Sequence, residues 1–212
     1  MLYDSSLLTI MNDSTVYSLS AGFDEVGCDK RQAMRFLGCS SGEVGQELEE
    51  LYCDCLRLAG KECFFRAVWR KSAISFCGED TVEFEFGRIT SAALCRNLQG
   101  CKSAYVFAAT AGHGIDRLML RYKSTDTAKA MVISCIGSSA VECWCDIVNR
   151  KIADGRRTRP RFSPGYGGVD LKCQKEVLEF LDAGRKTGIS LTDSYFMTPV
   201  KSVTAFIGIE EE

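Results

Sequence analysis

The chain is expected to adopt an α+β fold, an antiparallel or mixed sheet with helices packed on it. Three observations predict this. Strand-like and helix-like segments both occur, but without the regular alternation that builds a doubly wound parallel sheet. Thr81 to Gly87 sets Val82, Phe84 and Phe86 around Glu83 and Glu85, the two-residue period of a half-buried strand. The run from Asp126 to about Ile152 holds a helical period over the longest stretch in the chain. Of the 212 residues, 46% are hydrophobic, 25% are charged and only 3 are proline, the profile of an ordinary globular protein. One unit spanning 1–212 is expected, with an N-terminal α/β portion over 1–100 and a second portion over 101–212, because no repeat or linker separates them.

The elements follow in order. Ser40-Ser-Gly-Glu43 reads as a capping box, opening a helix with Val44, Leu48, Leu51, Cys55 and Leu58 on one face and Gly60 as its stop. Glu62 to Trp69 reads as a strand, and Thr81 to Gly87 as the next. Ser91 to Gln99 is a short helix closed by Gly100. Ala104 to Ala109 is an unbroken apolar strand. Gly112 and Gly114 place His113 in a turn before a helix over Ile115 to Tyr122. The long helix carries Ala128, Met131, Val132, Cys135, Ile136, Ala140, Cys143 and Ile147 as its apolar face, and Gly137-Ser-Ser-Ala140 permits close packing. Asp154 to Gly168 is a loop, Asp170 to Ala183 a helix stopped by Gly184, and Ser202 to Ile209 the last strand, before a solvated acidic end at Glu210 to Glu212.

Charge narrows the function. Lys plus Arg number 26 against 28 Asp plus Glu, so the basic surplus of a nucleic-acid protein is missing. The densest basic stretch, Arg150 to Arg161, is local and suits a small anionic ligand or an acidic partner. No apolar run of about 18 residues occurs, and Met1 to Asn12 lacks the basic start of a secretory signal, so no membrane association is expected and the cytoplasm is the default. The twelve cysteines include no Cys-x-x-Cys pair. The closest, Cys53-Asp-Cys55 and Cys143-Trp-Cys145, diverge by about 200° on a helix. They read as small buried hydrophobes in a reducing compartment, a metal-binding or redox role being the alternative, and no metal site is assigned.

His113 is the single histidine, and its flanking glycines suggest a turn rather than a catalytic base. Neither a phosphate-binding P-loop nor a dinucleotide-binding glycine motif occurs. The informative stretch is Thr158-Arg-Pro-Arg-Phe-Ser-Pro-Gly-Tyr-Gly-Gly168. Pro160 and Pro164 stiffen it, Gly165, Gly167 and Gly168 let backbone approach a ligand, Arg161 offers a fork for a carboxylate, and Tyr166 adds a ring with a hydroxyl. The combination suits an amino-acid-like ligand with a carboxylate and a flat ring; a plain rigid loop with solvated arginines is the other reading.

Arg161-Phe-Ser-Pro-Gly-Tyr166 resembles the Arg-x-x-Pro-Gly-Tyr loop of the reactivation domain of cobalamin-dependent methionine synthase. Met197-Thr-Pro-Val-Lys-Ser-Val203 resembles the segment before that family's last strand, and Ala140-Val-Glu-Cys-Trp-Cys-Asp146 the helix preceding its loop. Smaller echoes, Arg35-Phe-Leu-Gly38 and Ala108-Ala-Thr-Ala-Gly112, resemble its short stand-alone members.

The resemblance implies a fold like that activation domain and a role in methionine biosynthesis. The chain would be an accessory part of a methyltransferase rather than a complete enzyme. It would hold S-adenosylmethionine over cobalamin (vitamin B12) carried by a partner, while a flavodoxin-like donor supplies an electron and the methyl group passes to cobalt. The partner would be a methionine synthase lacking its own activation domain, or another corrinoid protein. Arg161 would pair the ligand carboxylate, Ser163 with Pro164 and Gly165 would present backbone, and Glu142 would meet the amino group or ribose. Tyr195 is a further contact. Tyr166, between ligand and corrin, is the residue assigned to the transfer itself. Two features depart from the family: no N-terminal acidic ligand residue can be placed, and Gly167-Gly168 follows the tyrosine where acidic or bulky residues are usual. The cobalamin signature Asp-x-His-x-x-Gly and an adjacent Cys-Cys pair for a homocysteine zinc are both absent.

Overall fold

A computed structural model describes residues 15–39 and 45–210. The expected capping box at Ser40 to Glu43, the first twelve residues and the last two lie outside the described residues. The chain enters through β1 (Tyr17–Gly22), α1 (Phe23–Val26), α2 (Lys30–Phe36) and α3 (Gln46–Glu62). Then follow β2 (Phe64–Cys77), the hairpin β3 (Thr81–Phe84) and β4 (Gly87–Thr90), and α4 (Ala92–Leu98). The remainder is β5 (Ser103–Thr110), α5 (His113–Tyr122), α6 (Thr127–Ala153), α7 (Gln174–Phe180), α8 (Ala183–Thr187), β6 (Ser190–Leu191), β7 (Met197–Thr198) and β8 (Ser202–Ile209).

The fold is α+β, built on an antiparallel sheet ordered β4-β3-β2-β5-β8, with β1 on the first half of β2 and β3 on its second half. β5 lies between β2 and β8 and all eight of its residues are buried. Its alternation explains its unbroken apolar sequence. Tyr105, Phe107 and Ala109 face a core shared with α3, α5 and α6, whereas Ala104, Val106 and Ala108 face the core built with α4, α7 and α8. A strand covered on both faces cannot alternate polar with apolar.

α6 is the centre of the first core, packed against α2, α3, α5 and the sheet. Asp126 caps it, accepting from the Lys129 amide at 2.9 Å. Trp144, 1% exposed, donates its indole N–H to the Arg66 carbonyl at 3.1 Å and packs its ring on Phe65. The helix has neighbours on several sides, so its buried residues exceed the single expected stripe. Ile133, Val141, Cys145 and Val148 are buried, while Ala128 and Met131 stand outside. Among the described residues it is the one helix long and apolar enough to cross a bilayer. Serines, Glu142 and Asp146 interrupt its apolar residues, so it contains no unbroken apolar run.

Several boundaries differ from expectation. α3 does not stop at Gly60 but runs to Glu62; Gly60 is small because the Phe23 ring lies over it, 3.3 Å from where a Cβ would be. β2 continues eight residues beyond Trp69. The expected helix over 170–183 is instead a single 3-10 turn (Leu171–Cys173), then α7, then a break at Asp182, whose φ is +50°, then α8. Gly184 lies inside α8, which ends at Thr187 and is capped by Gly188. The Gly112-His113-Gly114 motif opens α5 tightly against the end of α3. A Cβ on Gly114 would sit 2.0 Å from the Glu62 carbonyl oxygen.

Candidate functional site: a groove at the open edge of the last strand

The loop from Thr158 begins as a short partner for the outer edge of β8. The Arg159 amide donates to the Gly208 carbonyl at 2.9 Å, and Phe162 exchanges both backbone hydrogen bonds with Phe206, at 3.0 and 2.8 Å. The chain then leaves the edge at Ser163 and closes a turn on itself. The Gly165 amide donates to the Val169 carbonyl at 2.9 Å, and the Val169 amide to the Tyr166 carbonyl at 3.0 Å. Gly167, with φ +54°, can only be glycine: a Cβ there would lie 2.6 Å from the Phe162 ring. The Ser91 hydroxyl fixes the Gly167 carbonyl at 2.7 Å. Pro164 is buried, and the turn throws the Tyr166 ring outward, 73% exposed.

Beyond the point where the loop departs, the edge of β8 at Ser202 to Thr204 faces a groove of about 470 Å³. Ser163, Pro164 and Tyr166 form one side and Glu142 of α6 another. Leu171 and Gln174 close it from the α7 end, and Phe196, Met197 and Val200 form the far wall. The size falls within the roughly 300–1,000 Å³ of small-molecule sites.

The charges are arranged in depth. Arg161 sends one guanidinium nitrogen, Nη2, to both Glu142 Oε2 and Asp146 Oδ1, each at 3.0 Å. Those carboxylates lie four residues apart, one turn along α6. The other nitrogen, Nη1, is buried and has no hydrogen-bond partner. Burial pushes the Cys145 thiol up, partly offset by Arg161, and pushes Cys173 up to about 12. Thiols held neutral in this way are not poised as nucleophiles. Among the described residues no group of three or more histidine, cysteine or acidic side chains is placed to hold a metal ion. His113, the first residue of α5, is exposed.

Of the residues singled out from sequence, Glu142, Ser163, Pro164 and Tyr166 line the groove. Arg161 stands behind Glu142 rather than in the lining, and Gly165 sits in the turn, a Cβ there falling 3.1 Å from Leu171. Tyr195 reaches the site through its backbone: its carbonyl accepts from Gln174 at 2.9 Å. Sequence reasoning missed Asp146 as a partner of Arg161, although its spacing from Glu142 places both on one helix face. It also missed Gln174, whose signal was present. Gln174 falls in phase with Val177, Leu178 and Leu181, so a polar side chain sits at a core position.

The loop, the edge strand and the long helix behind them define an α+β protein of one recognisable type. The profile of the family described as "Vitamin B12 dependent methionine synthase, activation domain" matches residues 97–212. That is more than half of the chain, and the chain belongs to this family. A solved structure titled "Crystal Structure of the MetH Reactivation Domain bound to AdoHcy" superposes with a TM-score of 0.69 at 16% identity, covering 92% of this chain and 78% of that one. That likeness extends the shared fold to the N-terminal elements that the family profile does not reach. No curated protein matches the sequence.

Proposed function

We propose that this chain is an accessory reactivation protein that binds S-adenosylmethionine in the groove and presents its methyl group to cobalamin carried by a partner, in methionine biosynthesis. The observation that carries the reading is the buried Arg161 Nη1 with no partner, behind a groove walled by Glu142. An isolated buried donor is costly, and a ligand α-carboxylate would supply the acceptor it lacks once the side chains between it and the groove make way. Glu142, already held by Arg161, offers its other oxygen to the ligand's α-amino group. Ser163 presents backbone to the ring end. Tyr166 stands at the mouth, where its face favours the cationic sulfonium. The solved relative holds AdoHcy, the species that methyl transfer from this ligand leaves behind.

Cobalamin on the partner, once reduced with an electron from a flavodoxin-like donor, would supply the nucleophile that accepts the methyl group and leaves S-adenosylhomocysteine in the groove. The contribution of this chain is positioning. The stiff turn fixes Tyr166 and Ser163 relative to Glu142, so the methyl carbon is aimed rather than free to rotate. The mouth of the groove suits a docked partner. Tyr166, Phe196 and Val200 are 73%, 63% and 62% exposed there, and Val200 is shared with a neighbouring apolar groove under Leu120 and Met131. The partner is a methionine synthase without its own such domain, and the place of action is the cytoplasm.

Titration calorimetry with S-adenosylmethionine tests the reading. One-to-one binding, competed by S-adenosylhomocysteine and weakened in Tyr166→Ala, is expected. No heat up to about 1 mM ligand, a binding energy weaker than about 4 kcal/mol, refutes it.

A further inference from the structure

Gln174 is the first residue of α7, yet it is 3% exposed and faces the groove. Its two ends hold different elements. The amide nitrogen donates to the Tyr195 carbonyl at 2.9 Å, and the amide oxygen accepts from the Thr204 hydroxyl of β8 at 3.3 Å. Thr204 is itself 2% exposed and lines the same groove.

The Tyr195 carbonyl belongs to a tight turn joining β6 to β7. The Thr192 amide donates to the Phe196 carbonyl and the Tyr195 amide to the Thr192 carbonyl, both at 2.9 Å. The Phe196 amide donates to the Thr192 hydroxyl at 3.1 Å. Tyr195 holds a left-handed backbone, φ +62°, a conformation that a residue with a side chain keeps only when its surroundings demand it. The two strands behind the turn are only two residues each. A hairpin that short has little to hold it, and its tip carries Phe196, the exposed far wall of the groove.

We infer that Gln174 is a positioning residue that clasps the 192–196 turn to β8, fixing Phe196 as a rigid lip and so setting how tightly the groove holds its ligand. The inference rests on the reading of the groove as the S-adenosylmethionine site and deepens it. Only an amide serves both ends at once. It gives a proton to a carbonyl and takes one from a hydroxyl, and a leucine does neither. A glutamate keeps the shape and still accepts from Thr204, but its ionised form sets an oxygen against the Tyr195 carbonyl.

The test uses the full chain with Gln174→Leu and Gln174→Glu. Hydrogen–deuterium exchange, read by mass spectrometry without ligand, should show amides of the 192–196 turn exchanging about tenfold faster in both variants. Peptides from α7 and β8 should keep their wild-type protection, which a merely structural role of Gln174 within α7 would not leave untouched. Calorimetry should show affinity for S-adenosylmethionine falling about tenfold in both. Unchanged exchange at 192–196 in both variants overturns the clasp. Faster exchange with wild-type affinity overturns the lip as a determinant of binding. Wild-type protein that binds no S-adenosylmethionine overturns the functional reading, and the ligand half of this inference with it, while the exchange data still decide the clasp.

Discussion

Arg161→Met keeps the length of the stem and removes the guanidinium, and two consequences of different size follow. Glu142 and Asp146, neighbours on one face of α6, lose the cation they share. Their side chains are 38% and 60% exposed, so water screens much of the repulsion that remains. The stability loss should be about 0.5–1 kcal/mol, a fall in Tm of roughly 1–4 °C for a chain of this size. The ligand loses more. A hydrogen bond from a charged donor to the ligand carboxylate contributes about 1.5–3 kcal/mol, so affinity for S-adenosylmethionine should drop roughly 10- to 150-fold. Calorimetry at low salt, paired with a thermal melt of the same samples, reads both numbers. Added salt should narrow the difference in melting temperature between wild type and variant, since these pairs lie near the surface. Binding within twofold of wild type would show that the orphaned Nη1 is not where the ligand carboxylate goes, and the assignment of Arg161 would fall.

Two further outcomes are expected. Gly114→Ala forces a methyl group to within 2.0 Å of the Glu62 carbonyl oxygen, a main-chain atom that cannot swing aside, so urea unfolding should show a loss of about 3 kcal/mol or more. Gly45→Ala, at the N-cap of α3 with nothing within 4 Å and an ordinary φ, should cost no more than about 1 kcal/mol, and equal losses would refute the close approach. Burial pushes the Cys63 thiol from 9.0 up to about 12. Above pH 9 the unfolded chain ionises this thiol and the folded chain does not. The stabilisation is therefore full below pH 9 and lost as pH rises toward 12. Denaturant midpoints at pH 8 and pH 10 should differ less in Cys63→Ala than in wild type, and an unchanged difference would count against it.

What the sequence made legible was whatever is decided locally. β8 occupies Ser202–Ile209 as read, because eight buried or half-buried residues between turn signals leave little choice. Ser91 caps α4 as its type and place suggest, accepting from the Leu94 amide at 3.0 Å. The stiff loop was visible from its prolines and glycines. What escaped is decided by neighbours distant in sequence. Arg70 and Lys71 follow the strand read as Glu62 to Trp69, yet Arg70 lies over the Phe180 ring at 4.2 Å and pairs with Glu85, so a charge sits comfortably in mid-strand. The break at Asp182 and the second carboxylate on Arg161 are likewise tertiary. In the site, Tyr166 and Glu142 could be named from their motifs, but the wall carrying Phe196 depends on Gln174 meeting a turn twenty-one residues away.

The placement of α6 has a practical corollary. Its flanks are covered in part by Tyr52, Cys55 and Ala59 of α3 and by Phe65 of β2, all of which precede the stretch that the family profile matches. A fragment trimmed to that stretch would carry the one described helix apolar enough to cross a bilayer without its wrapping, and would strip β5 of the strand on one flank. Such a piece would stick to lipid, to chaperones or to itself, and activity lost through truncation would say nothing about the groove.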